Sequence, residues 1–287
     1  MNAGRLNRGG AQAVSATVLL GPAICVVLMM LAAPLLLLFR DSLNQFDPVE
    51  LMIETVTVAN YRRFFAESFY WEVMRTTVLV ATVVTLFCVA LGMPLAWRLA
   101  RTASRWKSLW MLAVILPLFI GSTVRTLGWM ILFARQGLLD SLAAPFGGRV
   151  DIMFTTTAVV IGTLSVNLPF MVLTLQSVFE GIDVRLSEAA QGLGAAPARA
   201  FWRVIWPLAL PGVSIAAILS FILGMSAFAT PVLLGGPRFK MMAPLVFTEF
   251  STNSNWPFSA ALAFILMATT LLLTTVANKL IPSRYRA

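Results

Sequence analysis

Long uncharged apolar runs alternate with short polar clusters along the whole chain. The runs are too long for buried strands, which rarely exceed about eight residues. A helix needs about 20 apolar residues to cross a bilayer core. Six windows meet that length: Val14–Phe39, Val73–Leu99, Leu109–Ala134, Phe154–Phe179, Leu208–Leu234 and Pro257–Ile281. The first holds no charge, the second only Arg75 near its start, and the third Arg125 near its middle. The pattern predicts an all-α membrane protein with six transmembrane helices. Arg5 and Arg8 precede an apolar stretch, as in a secretory signal, but a signal's apolar region runs only about 7–15 residues. This window is longer and continues past Pro34, so it reads as a retained first span.

The polar clusters orient the spans. Residues 40–72 hold three arginines and six acids, whereas Arg98, Arg101, Arg105 and Lys107 follow span two with no acid among them. Arg149 balances Asp140 and Asp151 between spans three and four. Arg185, Arg199 and Arg203 lie between spans four and five, and Lys279, Arg284 and Arg286 lie at the end of the chain. Lys and Arg mark the cytoplasmic side. Both termini are therefore expected inside, although Arg238 and Lys240 in the outer 5–6 loop run against the trend. A short surface helix is expected around Val58–Phe69.

Composition narrows the function classes. Apolar residues make up 59% and charged residues 11% of the chain, against about 25% charged in a soluble domain. The net charge of +9 sits in loop clusters, which fits membrane faces and excludes a nucleic-acid patch. There is no histidine, and Cys25 and Cys88 both lie in apolar runs, so no disulfide framework or metal site is expected. No Gly-x-x-x-x-Gly-Lys-Ser/Thr phosphate loop occurs, so the chain itself is expected to bind no nucleotide.

One cytoplasmic segment stands out: Ser187–Gly212, SEAAQGLGAAPARAFWRVIWPLALPG. Asp183 or Ser187 can cap a first helix bearing Glu188, Ala189 and Ala190. Gly194 suits a left-handed terminator, and Pro197 suits the first position of a second helix. Phe201, Val204 and Ile205 then share a face, and Pro207 and Pro211 lead into span five. The local chemistry predicts a two-helix knob.

The spacing Glu188-Ala189-Ala190, Gly194, Val204, Pro207 resembles the EAA loop of permease subunits from bacterial binding-protein-dependent ABC importers. Trp206 stands where that pattern usually has leucine. Pro94-Leu95-Ala96, Arg125 with Trp129, Asn167-Leu168-Pro169-Phe170, Thr230 through Pro237 and Asn255-Trp256-Pro257 extend the likeness across Val73–Ile281, most closely toward the spermidine/putrescine branch. The resemblance implies a type I importer transmembrane fold in the bacterial inner membrane. It divides the chain into a cytoplasmic tail (1–13), a first span (14–39), a periplasmic loop (40–72), a five-helix core (73–281) with a coupling loop (182–207), and a tail (282–287). It implies three partners: a second homologous permease, a cytoplasmic ATPase dimer holding the ATP and Mg, and a periplasmic binding protein. Glu188, Ala189, Ala190, Gly194, Pro197, Val204 and Pro207 would dock on the ATPase.

Polar groups inside the spans are the candidates for the solute path. They are Arg125, Trp129, Asn167, Ser226, Phe228 and Thr230. Arg125 reads either as a path or interhelix contact, or as a snorkelling or ion-paired structural group. Asn167 beside Pro169 reads either as a broken helix with freed carbonyls or as an interhelix hydrogen bond. Several polyamine-type permeases carry an acid where this chain reads Met225-Ser226-Ala227-Phe228. Both a polyamine-like solute and an amino-acid derivative therefore remain open. The alternative class is an ion-coupled secondary transporter working without an ATPase, but spans one, two, three and six hold no acid to couple an ion.

Overall fold

The computed structural model describes residues 6–102, 104–135, 137–143 and 152–280. Arg5, the Arg149–Asp151 cluster, Ile281, Arg284 and Arg286 lie outside the described residues.

Apart from one isolated antiparallel bridge between Gln45 and Ile53, the described residues are helices and their connections. Helix α1 spans Leu6–Ser42, starting ahead of the expected window. It lies outside the core and meets the last helix, α13 (Trp256–Leu280), where Phe39 and Phe264 pack edge to face at 5.3 Å. The outer loop folds back on it through helix α2 (Ala59–Ala66), inside the segment expected to be helical. Buried Asn60 donates to the carbonyls of Ser42 and Asn44, both at 2.9 Å. In the same loop, the Val49 and Glu50 amides hold the Asp47 carboxyl below its usual range.

Three helices build the core: α3 (Ser68–Arg101), α7 (Thr156–Glu180) and α10 (Trp206–Met225). Val84, Cys88, Val159 and Leu175 are fully buried between them. Without water, helices gain little from burying apolar area and associate by close packing. Gly224 of α10 shows this directly, since a Cβ there would sit 3.0 Å from the Ala81 Cα of α3.

Among the described residues five helices are long and apolar enough to cross a membrane, or six if a bent pair is counted as one span. That pair corrects the single helix expected over Leu109–Ala134. Span three is α4 (Lys107–Phe119) and α5 (Ser122–Phe133), bent by 97°. The helix passes through Pro117 and breaks at Ile120 and Gly121, where the backbone leaves the helical region. Short helix α6 (Leu138–Ala143) follows.

Span five is corrected at both ends. At its N-terminal end the chain is helical from Pro197 without interruption to Met225, so the knob's second helix and the span are one rod. Within it, Phe201–Ile205 is a π-turn placed just before Pro207. A proline ring clashes with the carbonyl four residues back, and a wider turn relieves that clash. On the other side the rod stops at Met225. Ser226–Phe228 are non-helical before α11 (Ala229–Leu234) and α12 (Met242–Ser251). A break at Pro169 does not occur: α7 runs through it, with Asn167 and Pro169 both buried.

Candidate functional site

Two sites emerge at opposite ends of the α10 rod. The first is the knob. Helix α8 (Val184–Gly192) is capped by Asp183, whose carboxylate accepts the Arg185 amide at 2.9 Å. Asp183 is therefore the cap, and the Ser187 hydroxyl instead takes the Gln191 side-chain amide at 3.1 Å. The helix ends on Gly194 at φ +85. Gly194 N–H donates to Gln191 O (2.9 Å) and Ala195 N–H to Ala190 O (3.1 Å), the paired bonds of a Schellman turn. A side chain at this φ costs about 1–2 kcal/mol. Pro197 then opens α9 (Pro197–Ala200) at a position that needs no amide hydrogen.

Glu188, Ala189, Gly194 and Pro197 are exposed, while Ala190, Val204 and Pro207 are half-buried. The knob also exposes Val184, Leu186 and Trp202, and Leu193 at its tip is 90% exposed. The tip is thus an exposed apolar surface.

The root of the knob is held rigidly. Trp97 packs edge-on against Phe179 (5.2 Å) and Phe201 (5.0 Å). The Arg101 guanidinium lies 4.6 Å over the Trp97 ring and donates to Ile182 O at 3.2 Å. Lys107 pairs with Glu180 at 3.0 Å. Trp206 is half-buried and meets the Trp202 ring edge-on at 5.4 Å. Its larger ring joins this aromatic cluster.

The second site is a cavity of about 300 Å³ where the breaks of spans three and five meet α7. Asn167, Ser226, Phe228 and Thr230 line it, together with Ser122, Thr123, Thr163 and Phe170. Four of the six expected path residues are thus brought together. Arg125 and Trp129 are not in the lining; they brace its wall. The Trp129 indole donates to the Ser165 hydroxyl at 2.8 Å. The Arg125 guanidinium donates to Pro117 O and to Ile120 O (2.9 Å) at the carbonyl end of α4, and to Ser165 O (3.2 Å) on α7. Those carbonyls end a helix inside a membrane, where an unsatisfied one costs several kcal/mol. The structure therefore favours the interhelix-contact reading of Arg125, with backbone carbonyls as its partners.

Asn167 makes the interhelix bond, donating to Ser220 O at 3.2 Å. Thr126 and Thr230 hydroxyls meet at 3.2 Å and join α5 to α11. Gly162 lets α11 lie close against α7: a Cβ there would fall 2.6 Å from both Thr230 and Leu234 side chains. Sequence reasoning missed Thr163, because a lone threonine in an apolar helix carries no local signal. Larger grooves of about 410 Å³ flank α13, but their lining is apolar, and the hydroxyls of Thr82, Thr85, Ser214 and Thr270 turn back onto their own helices. No group of His, Cys, Asp or Glu among the described residues is arranged to hold a metal.

The chain compares with known proteins along most of its length. The family described as binding-protein-dependent transport system inner membrane component matches residues 56–286. The spermidine/putrescine transport system permease protein PotB of Haemophilus influenzae is 31% identical over 254 residues, covering 86% of this chain and 88% of that protein. PotB of Escherichia coli K12 is 32% identical over 236 residues, covering 81% and 86%. Among solved structures, a chain of a bacterial alginate ABC transporter, in complex with an alginate-loaded periplasmic protein, superposes with a TM-score of 0.78 at 15% identity, over 99% of both chains. The last likeness carries the fold alone; the first three carry more. The chain belongs to the family of binding-protein-dependent transport system inner membrane components, and is a multi-pass inner-membrane permease of the type I ABC importer class.

Proposed function

We propose that this chain forms one half of the translocation path of an ATP-driven importer and takes its driving motion through the knob at residues 182–207. Both termini and the knob face the cytoplasm, as the arginine clusters support. The knob docks on one subunit of an ATPase dimer that holds the ATP and Mg; this chain binds neither. A second homologous permease completes the path, and a periplasmic binding protein delivers a small organic solute. The named relatives are polyamine permeases, and the superposed transporter was solved with a periplasmic protein bound, which supports this assembly.

The observation that carries the reading is the continuity of Pro197–Met225. One helix leaves an exposed apolar knob on the cytoplasmic side and ends at the polar cavity. A displacement of the knob's second helix is therefore carried along one helix to the cavity wall at Met225–Phe228. Glu188, Ala189 and Ala190 give the docking face small side chains and one charge; Gly194 sets the angle between the two knob helices.

Gly194→Asp tests the coupling. It puts a charge and a Cβ at a left-handed position, with open space around it, so the membrane core is left alone. The expected outcome is full membrane insertion, loss of ATPase copurification and loss of uptake. Retained ATPase assembly together with retained uptake would overturn the docking role. Uptake driven by an ion gradient without ATP would replace it with secondary transport.

A further inference from the structure

The first half of span three is held by its ends. Helix α4 buries none of its thirteen residues. Met111 and Val114 lean on the core, and most of its other apolar side chains are exposed. Packing therefore does little to fix α4. Its far end is held by Arg125, whose guanidinium takes the Pro117 and Ile120 carbonyls.

The near end is held by a polar clip. Lys107 and Met111 stand one turn apart on α4, and Gln176 and Glu180 stand one turn apart on α7, so each pair shares a helix face. The two faces meet. Lys107 Nζ donates to Glu180 Oε1 at 3.0 Å, and Gln176 Nε2 donates to the same oxygen at 3.1 Å. Gln176 Nε2 also lies 3.7 Å from Met111 Sδ. Gln176 is only 4% exposed, and its Oε1 is buried without a partner. Turning the amide over would set that oxygen against the Glu180 carboxylate. The side chain thus serves the clip while its own acceptor stays unpaired, which is unfavourable by itself. Lys107 is the first residue of α4 and Glu180 the last of α7, the helix ends where the macrodipole disfavours those charges. Local helix chemistry opposes both charges, so the pairing across the helices is what they serve.

Glu180 also stands three residues ahead of Asp183, the cap of the knob's first helix. We infer that Gln176 and Glu180 are positioning residues that fasten α4 to the root of the knob, so that α4 carries the knob's displacement to the Ile120–Gly121 break. The inference rests on the coupling reading above and deepens it. The knob then reaches the cavity by two arms. One is α10, twenty residues and about 30 Å long, which ends at Ser226–Phe228. The other is the clip with α4, thirteen residues and about 20 Å long, which ends just before the lining residues Ser122 and Thr123. Both breaks are driven from the same end of the molecule. An exposed ion pair alone would hold α4 weakly. Lys107–Glu180 is half-exposed, and the buried Gln176 fixes where its carboxylate sits.

The test uses the assembled transporter with both permeases and the ATPase. Cys25 is replaced by alanine and the fully buried Cys88 stays, so this parent gives the labelling blank. Ser122→Cys places a thiol beside the break in span three, and Ala227→Cys places one in the break of span five; both positions line the cavity. N-ethylmaleimide labelling is timed without nucleotide and with nucleotide trapped on the ATPase. With the native clip, both thiols are expected to change rate severalfold. Glu180→Lys sets two ammonium groups against each other, and Gln176→Leu removes the buried amide at similar volume. Each should abolish most of the change at Ser122→Cys and leave the change at Ala227→Cys. Adding Lys107→Glu to Glu180→Lys should restore the response at Ser122→Cys. Gln176→Leu decides the matter if Glu180→Lys does not assemble. An unaltered response at Ser122→Cys in the clip variants overturns the inference, and so does an equal loss at both thiols, which would make the clip a general support of the knob. Rates at both thiols that ignore nucleotide with the native clip sink the coupling reading instead, which keeps the two failures apart.

Discussion

The two ends of the Pro197–Met225 helix are built on opposite principles. The knob end is exposed, and its turns are specified by local chemistry: Asp183 caps, Gly194 reverses, Pro197 starts again. Water can satisfy any amide left over, and Leu193 stands exposed at the tip. The membrane end has no water to fall back on. The end of α4 takes its donors from Arg125 on the next helix, α5, while the end of α10 is closed by its own cap residue, Ser226. A break in water needs only a local cap and a terminator, while the break in span three also needs a charged side chain from the next helix to reach back to the carbonyls it frees.

Substitutions at the two ends should therefore differ in kind. The largest loss of stability is expected deep in the membrane end at Gly224→Leu. The added side chain meets the Ala81 backbone, and overpacking of this sort costs about 1–3 kcal/mol or more. Thermal unfolding in detergent should show it, with uptake lost as well. Arg125→Gln comes next. One amide cannot serve three carbonyls, and leaving buried acceptors unpaired costs about 1–3 kcal/mol, less whatever bond the glutamine recovers. Thermal unfolding should fall, and Arg125→Lys should fall between the two.

At the cytoplasmic end the effects on stability shrink. Gly194→Ala should cost about 1 kcal/mol through its positive φ alone. Uptake should suffer more than thermal stability, because the turn aims the knob without supporting the core. Trp206→Leu should be the mildest, removing an edge contact with Trp202 worth about 0.5–1.5 kcal/mol. If Trp206→Leu matched Gly224→Leu in stability loss, the contrast between the ends would not hold.

The same contrast decides what could be read beforehand. The knob was legible down to its cap and its terminator, because each signal lies within a few residues of the turn it makes. Six apolar windows placed six spans, but a window that long averages over two or three residues. It hid the breaks at Ile120–Gly121 and Ser226–Phe228, whose residues are uncharged. Pro169 suggested a break, yet α7 runs through it, and α4 runs through Pro117 and breaks only at Ile120–Gly121, so proline alone does not mark the breaks. Asn167, Ser226, Phe228 and Thr230 were legible as polar or aromatic exceptions inside spans. Thr163 was not, since its unmet hydroxyl is a property of the packed structure.

The central claim is that the knob and the cavity move as one body. The most direct measurement is N-ethylmaleimide labelling of a single Thr123→Cys thiol in the assembled transporter, with and without nucleotide trapped on the ATPase. The account predicts labelling rates that differ severalfold between the two states, and no difference in the presence of Gly194→Asp. Equal labelling in both states with the native knob would contradict it.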